Sequence, residues 1–160
     1  MVQRDFDVPD DDMFRLWRAV FALVHADGKF SDDEKKYIEH VTDQFSFSSK
    51  QKSIIQKDIK QKADVVALFN DIEKLDNGRQ FFLMARTIVW CDGFLHELEM
   101  DAIQRVVKSL GNDANMFEAE LRWIERKPVR RVGQDEDAHH EGVIKIVVEQ
   151  MSAFYKEKVI

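Results

Sequence analysis

Apolar residues recur at helical spacing along most of the chain, and this pattern limits the fold more than any other feature. Between positions 14 and 24 they fill more than one face of a helix, and a second dense run covers positions 78–91. Helices of this kind are buried among other helices, so the first run is expected at the centre of the fold. Only two Pro and six Gly occur among 160 residues, so long helices continue without interruption. The sequence therefore predicts an all-α protein.

Each dense apolar helix is followed by a short acidic loop, and the two loops share a pattern. The first reads HADGKFSDDE from His25, and the second reads WCDGFLHELE from Trp90. Both hold an Asp-Gly pair with a Glu six positions after the Gly. Residues 16–45 and 81–110 also align in their apolar classes, and we interpret this as an internal duplication of a helix–acidic loop–helix unit. The matched pairs are Leu23/Ile88, Val24/Val89, Ile38/Ile103, Val41/Val106 and Phe45/Leu110.

Helix start and stop signals divide the chain into elements. The start signals are Pro9 with Asp10–Asp12 for the first helix, Ser31 with Glu34 for the second, Ser48 with Gln51 for the third and Asp64 for the fourth. The apolar stripe of the fourth helix extends through Ile72 to Leu75, and Gly111 is expected to stop the helix that follows the second loop. Trp17, Trp90 and Trp123 are expected in the core.

These elements predict an all-α protein built from two pseudo-repeated helix–acidic loop–helix units, plus a C-terminal helix. We expect one domain over residues 1–160, with its core at 12–125. Residues 126–142 change from basic to acidic without apolar periodicity, so we expect an exposed loop there. Apolar residues at helical spacing return at 143–158, which predicts the C-terminal helix.

Charge and composition limit the partners. The net charge of −6 disfavours nucleic acid or an anionic membrane as the main ligand. No signal-peptide pattern opens the chain, and no apolar run reaches the ~18 residues of a transmembrane helix. The single cysteine, Cys91, has no internal disulfide partner. We therefore expect a cytoplasmic protein that does not insert into a membrane.

The acidic loops are the strongest candidate site. With Gly28 at position 6 of an EF-hand loop, positions 1 and 3 would be Leu23 and His25, which are not the carboxylates that such a loop uses. Two interpretations remain. The Asp residues accept hydrogen bonds from loop amides and fix the turns, or a divalent cation is held by carboxylates of both loops. In the second interpretation the metal ligands are Asp27, Glu34, Asp92 and Glu99.

Histidines supply two further metal candidates. His25 precedes the first acidic loop and offers a nitrogen ligand, although a histidine at a helix end often has no such role. His139 and His140 adjoin an acidic run and offer another pair, although adjacent histidines in a loop are usually solvated. No phosphate-binding Gly loop, His-Glu-x-x-His or Gly-x-Ser-x-Gly motif occurs. We therefore expect a protein that is not an enzyme.

The segments ADGKFSDDEKKYI and CDGFLHELEMDAIQRVVKSLG resemble the two repeated motifs of the TerB family of tellurite-resistance proteins, and a related domain occurs in DjlA-type co-chaperones. The likeness covers residues 12–125. The resemblance implies an all-α bundle of about seven helices with a metal-linked acidic surface, and the family's acidic positions correspond to Asp27, Glu34, Asp92 and Glu99. His96 and Leu98 replace the polar residues usual in the second loop, which puts that site in doubt.

The resemblance also implies a function. We expect a non-catalytic interaction module in tellurite or general stress resistance, with protein partners in a stress-resistance complex at the inner membrane. In this interpretation the chain stays in the cytoplasm and reaches the membrane only through a partner. Two alternatives remain open: a small metal-dependent enzyme that uses the paired carboxylates, and a purely structural scaffold.

Overall fold

The computed structural model describes residues 7–26, 31–90, 97–125 and 139–158, and all regular structure within these ranges is helical. The elements are α1 (Asp11–Val24), α2 (Asp32–Gln44), α3 (Ser49–Lys60), α4 (Val65–Asn70), α5 (Leu75–Trp90), α6 (Glu97–Leu110), a 3-10 helix (Gly111–Phe117), α7 (Glu118–Glu125) and α8 (His139–Lys158). The all-α class is confirmed, with seven α-helices before the C-terminal one. No described helix is both long and apolar enough to cross a membrane.

The two dense apolar helices, α1 and α5, form the centre of the fold, and for α1 this position was predicted. They pack against each other; α1 also contacts α3, α4, α6 and α8, and α5 also contacts α6, α7 and α8. Burial on several faces explains why polar residues are sparse in both helices. The side chains of Leu16, Trp17, Leu23, Phe81, Phe82 and Ile88 are fully buried.

The sequence repeat has a structural counterpart in α1–α2 and α5–α6. Of the five matched apolar pairs, four are buried on both sides, and only Leu110 of the fifth is partly exposed. The equivalence extends just past the end of each second helix, where the matched residues Ser46 and Gly111 have φ 61° and φ 56°. At Ser46 the helix closes with two backbone bonds typical of a left-handed cap, from Phe47 N–H to the Thr42 carbonyl and from Ser46 N–H to the Asp43 carbonyl. The sequence predicted the stop at Gly111 but not the one at Ser46, where no glycine marks it.

The predicted helix starts are confirmed by side-chain caps. Asp10 accepts a hydrogen bond from the Met13 amide, and Asp64 accepts one from the Val66 amide. Both capping boxes are complete, with reciprocal bonds in the pairs Ser31/Glu34 and Ser48/Gln51. Each cap satisfies amides that have no partner inside the first turn of a helix.

Asp12 has a role that the sequence did not reveal. Its buried carboxylate accepts hydrogen bonds from the Glu73 amide at 2.6 Å, the Lys74 amide at 3.1 Å and the Asn77 side chain at 2.6 Å. These donors surround the start of α5, so a residue of α1 caps a helix that lies about sixty positions away in sequence.

The same contact explains an error in the predicted fourth helix. That helix was expected to continue through Ile72 to Leu75, but α4 ends at Asn70 and Leu75 begins α5. The amides of Glu73 and Lys74 donate to Asp12 instead of to carbonyls one turn earlier. Leu75 is consequently 40% exposed instead of buried.

Trp123 was expected in the core, and this prediction was wrong. Its side chain is 47% exposed on α7. The Arg86 guanidinium lies 4.5 Å from the centre of its ring, and Arg86 Nε donates to the Trp123 carbonyl at 2.9 Å. The ring therefore packs under a cation at the surface. Trp17 is buried as predicted, and the side chain of Trp90 lies outside the described residues.

The C-terminal helix begins at His139, four positions earlier than predicted, so residues 139–142 are helical and do not belong to a loop. The remaining part of the predicted loop, 126–138, lies outside the described residues, as do the side chains of His139 and His140. Helix α8 covers both repeats because it contacts α1, α2 and α5. The Trp17 indole N–H donates to the Tyr155 hydroxyl at 2.7 Å across this contact.

Candidate functional site

The structure places the two predicted glutamate ligands at equivalent positions. Glu34 is the third residue of α2 and Glu99 is the third residue of α6, so each stands in the first turn of the helix that follows its acidic loop. The two predicted aspartate ligands, Asp27 and Asp92, lie outside the described residues. The structure therefore describes half of the predicted ligand set.

Glu34 forms a short contact with His25, which lies immediately after α1. The imidazole Nε2 lies 2.6 Å from Glu34 Oε2, and His25 is only 2% exposed. The other ring nitrogen, Nδ1, lies 3.2 Å from the carbonyl oxygen of Phe21. The sequence suggested His25 as a ligand beside the loop but gave no indication that it pairs with Glu34 across that loop.

The partners of His25 indicate its protonation state. A carbonyl oxygen only accepts hydrogen bonds, and an ionised carboxylate also only accepts. Burial alone would raise the pKa of Glu34, but hydrogen bonds from His25 and from the Ser31 amide outweigh it and hold that pKa below its usual value. Glu34 is therefore ionised at neutral pH, and both ring nitrogens of His25 carry hydrogen. The pair is a nearly buried imidazolium–carboxylate ion pair.

Glu34 has two structural tasks at once. Its Oε1 accepts from the Ser31 amide at 3.2 Å and completes the capping box, while its Oε2 faces His25. One carboxylate thus starts α2 and fixes that start against the end of α1. The capping interpretation of Glu34 made from the sequence is confirmed, but it accounts for only one of the two oxygens.

Glu99 is also withdrawn from solvent, with 4% of its surface exposed. The position equivalent to His25 is Trp90, so the histidine that faces Glu34 has no counterpart at the matching position of the second repeat. Burial of a carboxylate requires hydrogen bonds or opposite charge. The two repeats therefore place the same acid in the same turn.

The described residues supply only part of a metal site. No group of three or more His, Cys, Asp or Glu side chains comes together within the described ranges. At the first loop, Glu34 offers a carboxylate, and His25 offers a nitrogen once an ion displaces one of its two ring protons. Asp27 is the other ligand predicted for this loop. A mixed nitrogen and oxygen set suits zinc or manganese better than calcium, which takes six to eight oxygens.

The space beside His25 limits what the site admits. A narrow cavity of about 20 Å³ lies between α1, α2 and α3, and its wall includes Phe21, His25, Ile38, Ile55 and Asp58. This volume is enough for about one water molecule. The wall is mostly apolar. Because of its small volume, the cavity between the described residues is too small for an organic substrate next to the imidazole.

Comparison of the chain with protein families, with curated proteins and with solved structures gave no match. The likeness to the TerB family therefore remains a prediction carried by the two acidic motifs and their order.

Proposed function

We propose that this protein is a non-catalytic, TerB-like interaction module whose acidic loops bind a divalent cation, and that it acts in tellurite or general stress resistance. The observation that supports this best is the equivalent position of Glu34 and Glu99 in the first turn after an Asp-Gly loop, where the Glu34 side chain is 12% exposed and Glu99 is 4% exposed. A carboxylate that only capped a helix would gain nothing from burial. In this proposal the ligands are Asp27 and Glu34 at the first loop and Asp92 and Glu99 at the second.

The non-catalytic part of the proposal is supported by the surroundings of His25. An imidazole paired with a carboxylate is a common general base, but it must reach a substrate proton within hydrogen-bond distance. His25 is 2% exposed and adjoins a space for about one water molecule. Partners are proposed to be proteins of a membrane-associated stress-resistance complex, which the chain joins from the cytoplasm.

Thermal unfolding with calcium, magnesium, manganese and zinc tests the cation. If the loops bind an ion, the wild type gains about 2.7 kcal/mol of stability at a hundredfold excess over the dissociation constant. The Asp27→Asn/Asp92→Asn protein loses that gain and is at least as stable as the wild type without ion. Asp11→Asn/Asp113→Asn is a matched control, because it removes the same charge from exposed positions away from both loops.

The two alternatives predict different results. If the protein is a scaffold whose loops only fix their turns, its melting temperature does not change with any of the four ions. This result would refute the proposal that the loops bind a cation. A metal-dependent enzyme shows turnover that disappears in Asp27→Asn but persists in the control protein. Its supporting observation is the His25–Glu34 pair, because an imidazole held by a carboxylate acts as a general base once it has lost a proton.

A further inference from the structure

Helix α3 carries a positive charge that contrasts with the rest of this acidic protein. Positions 49–62 contain five lysines and one acidic residue, whereas the whole chain has a net charge of −6. The acidic residue, Asp58, forms an ion pair with Arg18, whose Nε and Nη2 donate to its two carboxylate oxygens at 2.8 and 2.9 Å. The lysines are therefore not neutralised from within α3.

Most of these lysines also lack a partner elsewhere in the described residues. Lys52 pairs with Asp43 on α2. No described carboxylate forms an ion pair with the others, which are exposed: Lys50, Lys57, Lys60 and Lys62. Lys50, Lys57 and Lys60 are spaced so that they share one side of the helix. The result is a stripe of solvated ammonium groups along α3.

An open groove of about 500 Å³ runs beside this stripe, between α3, α4 and the Arg18 side of α1. Its apolar wall is formed by Ile54, Ala63, Ala67 and Leu68, and Lys57 and Lys62 stand at its edge. Ile54, Ala63 and Ala67 keep part of their surface open to solvent, which leaves room for side chains of a partner. The lining residues of α3 run from Ile54 to Asp58, about one helical turn, and the groove continues past the α3–α4 connection to Leu68.

We propose that this groove, the α3 groove, docks an acidic amphipathic helix of a partner protein. The partner's carboxylates lie along the lysine stripe, and its apolar side chains enter between α3 and α4. This mode resembles other helix-in-groove complexes, with charge fixing the orientation. The inference rests on the proposed function as an interaction module and names the surface and the chemistry of its partner.

Other anionic partners fit this surface less well. A membrane surface would require large apolar side chains that project outward, and none of the exposed large apolar residues among the described positions belongs to α3. Nucleic acid would meet Asp58 and Asp64 in the groove and a net charge of −6 around it. An acidic helix places its carboxylates along the lysine stripe and its apolar side chains against the groove wall, and it does not extend over the rest of the acidic protein surface.

Fluorescence anisotropy with a labelled helical peptide of about fifteen residues tests the proposal. The peptide carries Glu on one face and Leu on the other; a second peptide has Gln in place of every Glu. The expected result is salt-dependent binding of the Glu peptide and at least tenfold weaker binding of the Gln peptide. Lys57→Glu/Lys60→Glu is expected to weaken binding of the Glu peptide about tenfold.

A matched control is Lys108→Glu/Lys156→Glu. It makes the same charge change, and Lys108 lies in the last turn of α6 as Lys60 lies in the last turn of α3. This protein is expected to bind the Glu peptide within about twofold of the wild type. Circular dichroism and thermal unfolding confirm that both variants fold.

Four outcomes would overturn the proposal. They are equal weakening in both double variants, equal binding of the two peptides, no binding of the Glu peptide up to about 1 mM, or tighter lysine-dependent binding of anionic vesicles or duplex DNA than of the peptide. The titrations are made in excess EDTA and repeated with magnesium. Ion-dependent stability and lysine-dependent peptide binding are separate measurements, so either proposal can fail while the other stands.

Discussion

The His25 imidazole and the Glu34 carboxylate approach within 2.6 Å, although the first follows the end of α1 and the second lies in the first turn of α2. The contact joins two helices across the acidic loop and is almost closed to water. Because each oxygen of Glu34 has its own donor, the cap and the ion pair can be separated by substitution.

Glu34→Gln is expected to keep the cap and lose the ion pair. Gln51 performs the same capping task at α3, so a Gln at position 34 still accepts from the Ser31 amide. The charge facing His25 disappears, and we expect a loss of about 2 kcal/mol in the free energy of unfolding, measured in urea. Asp33→Asn removes an exposed charge from the same turn and should change stability by less than about 0.5 kcal/mol. Equal effects of the two substitutions would contradict the ion pair.

The stabilisation by Glu34 is expected to depend on pH in acid. Its pKa in the folded protein lies below the ordinary value of 4.5 because the bonds from His25 and Ser31 outweigh its burial. A lowered carboxylate pKa stabilises the folded state above the unfolded-state pKa, and this contribution is lost as pH falls through the lowered value. The stability difference between wild type and Glu34→Gln should therefore narrow below about pH 4.5. A difference that stays constant down to pH 2 would show that Glu34 has no lowered pKa.

Asp12→Ala is expected to be the most damaging change of a charged residue at the start of α1. It removes the buried carboxylate that accepts hydrogen bonds from the amides of Glu73 and Lys74. We expect a loss of about 3 kcal/mol. Asp11→Ala removes the neighbouring exposed acid and should cost about 0.5 kcal/mol or less. Similar denaturation midpoints for the two proteins would show that Asp12 does not cap α5.

Gly78→Ala has two opposite effects on the stability of α5. Alanine favours a helix by up to about 1 kcal/mol over glycine. However, the added Cβ would lie 3.0 Å from Cζ of Phe117, whose ring is held in the core against Phe69 and Phe82. We expect the crowding against Phe117 to outweigh the helix propensity of alanine, so that the free energy of unfolding falls by about 1 kcal/mol. The same substitution should become neutral or stabilising beside Phe117→Leu; a more stable single variant would mean that the ring moves freely.

Gly111→Ala isolates a backbone effect. No atom lies within 4 Å of the position of an added Cβ, so sterics between side chains contribute nothing. Its φ of +56° belongs to the left-handed region, where a residue with a side chain costs about 1 kcal/mol. Chemical denaturation should show that loss for Ala and a smaller one for Asn, which tolerates this conformation better. Equal losses for Ala and Asn would point to a different cause.

Much of the fold follows from local signals. The buried helices α1 and α5 are visible as dense apolar runs, and the caps at Ser31 and Ser48 are visible as residue pairs. These features depend on neighbours within one or two helical turns, which a sequence displays directly.

The errors involve contacts between distant residues. The apolar spacing of Ile72 and Leu75 continues the period of α4, and only the carboxylate of Asp12 shows why the helix ends before them. Trp123 has the composition of a core residue, but its side of the short helix α7 faces Arg86 and solvent. In the candidate site, the capping role of Glu34 and the position of His25 near the loop could both be predicted from the sequence. The ion pair between them depends on the angle at which α1 meets α2, which no local pattern encodes.

The cap that Asp12 provides for α5 also bears on how the two repeats depend on each other. The second repeat begins at a helix whose first amides are satisfied by the first repeat. A copy of the second repeat made alone would start with those donors open to water and with the buried face of α5 uncovered. The two repeats are therefore not independent folding units joined in series. The second repeat needs the first for the cap of α5, and because the first repeat is synthesised earlier, Asp12 is already outside the ribosome when α5 emerges.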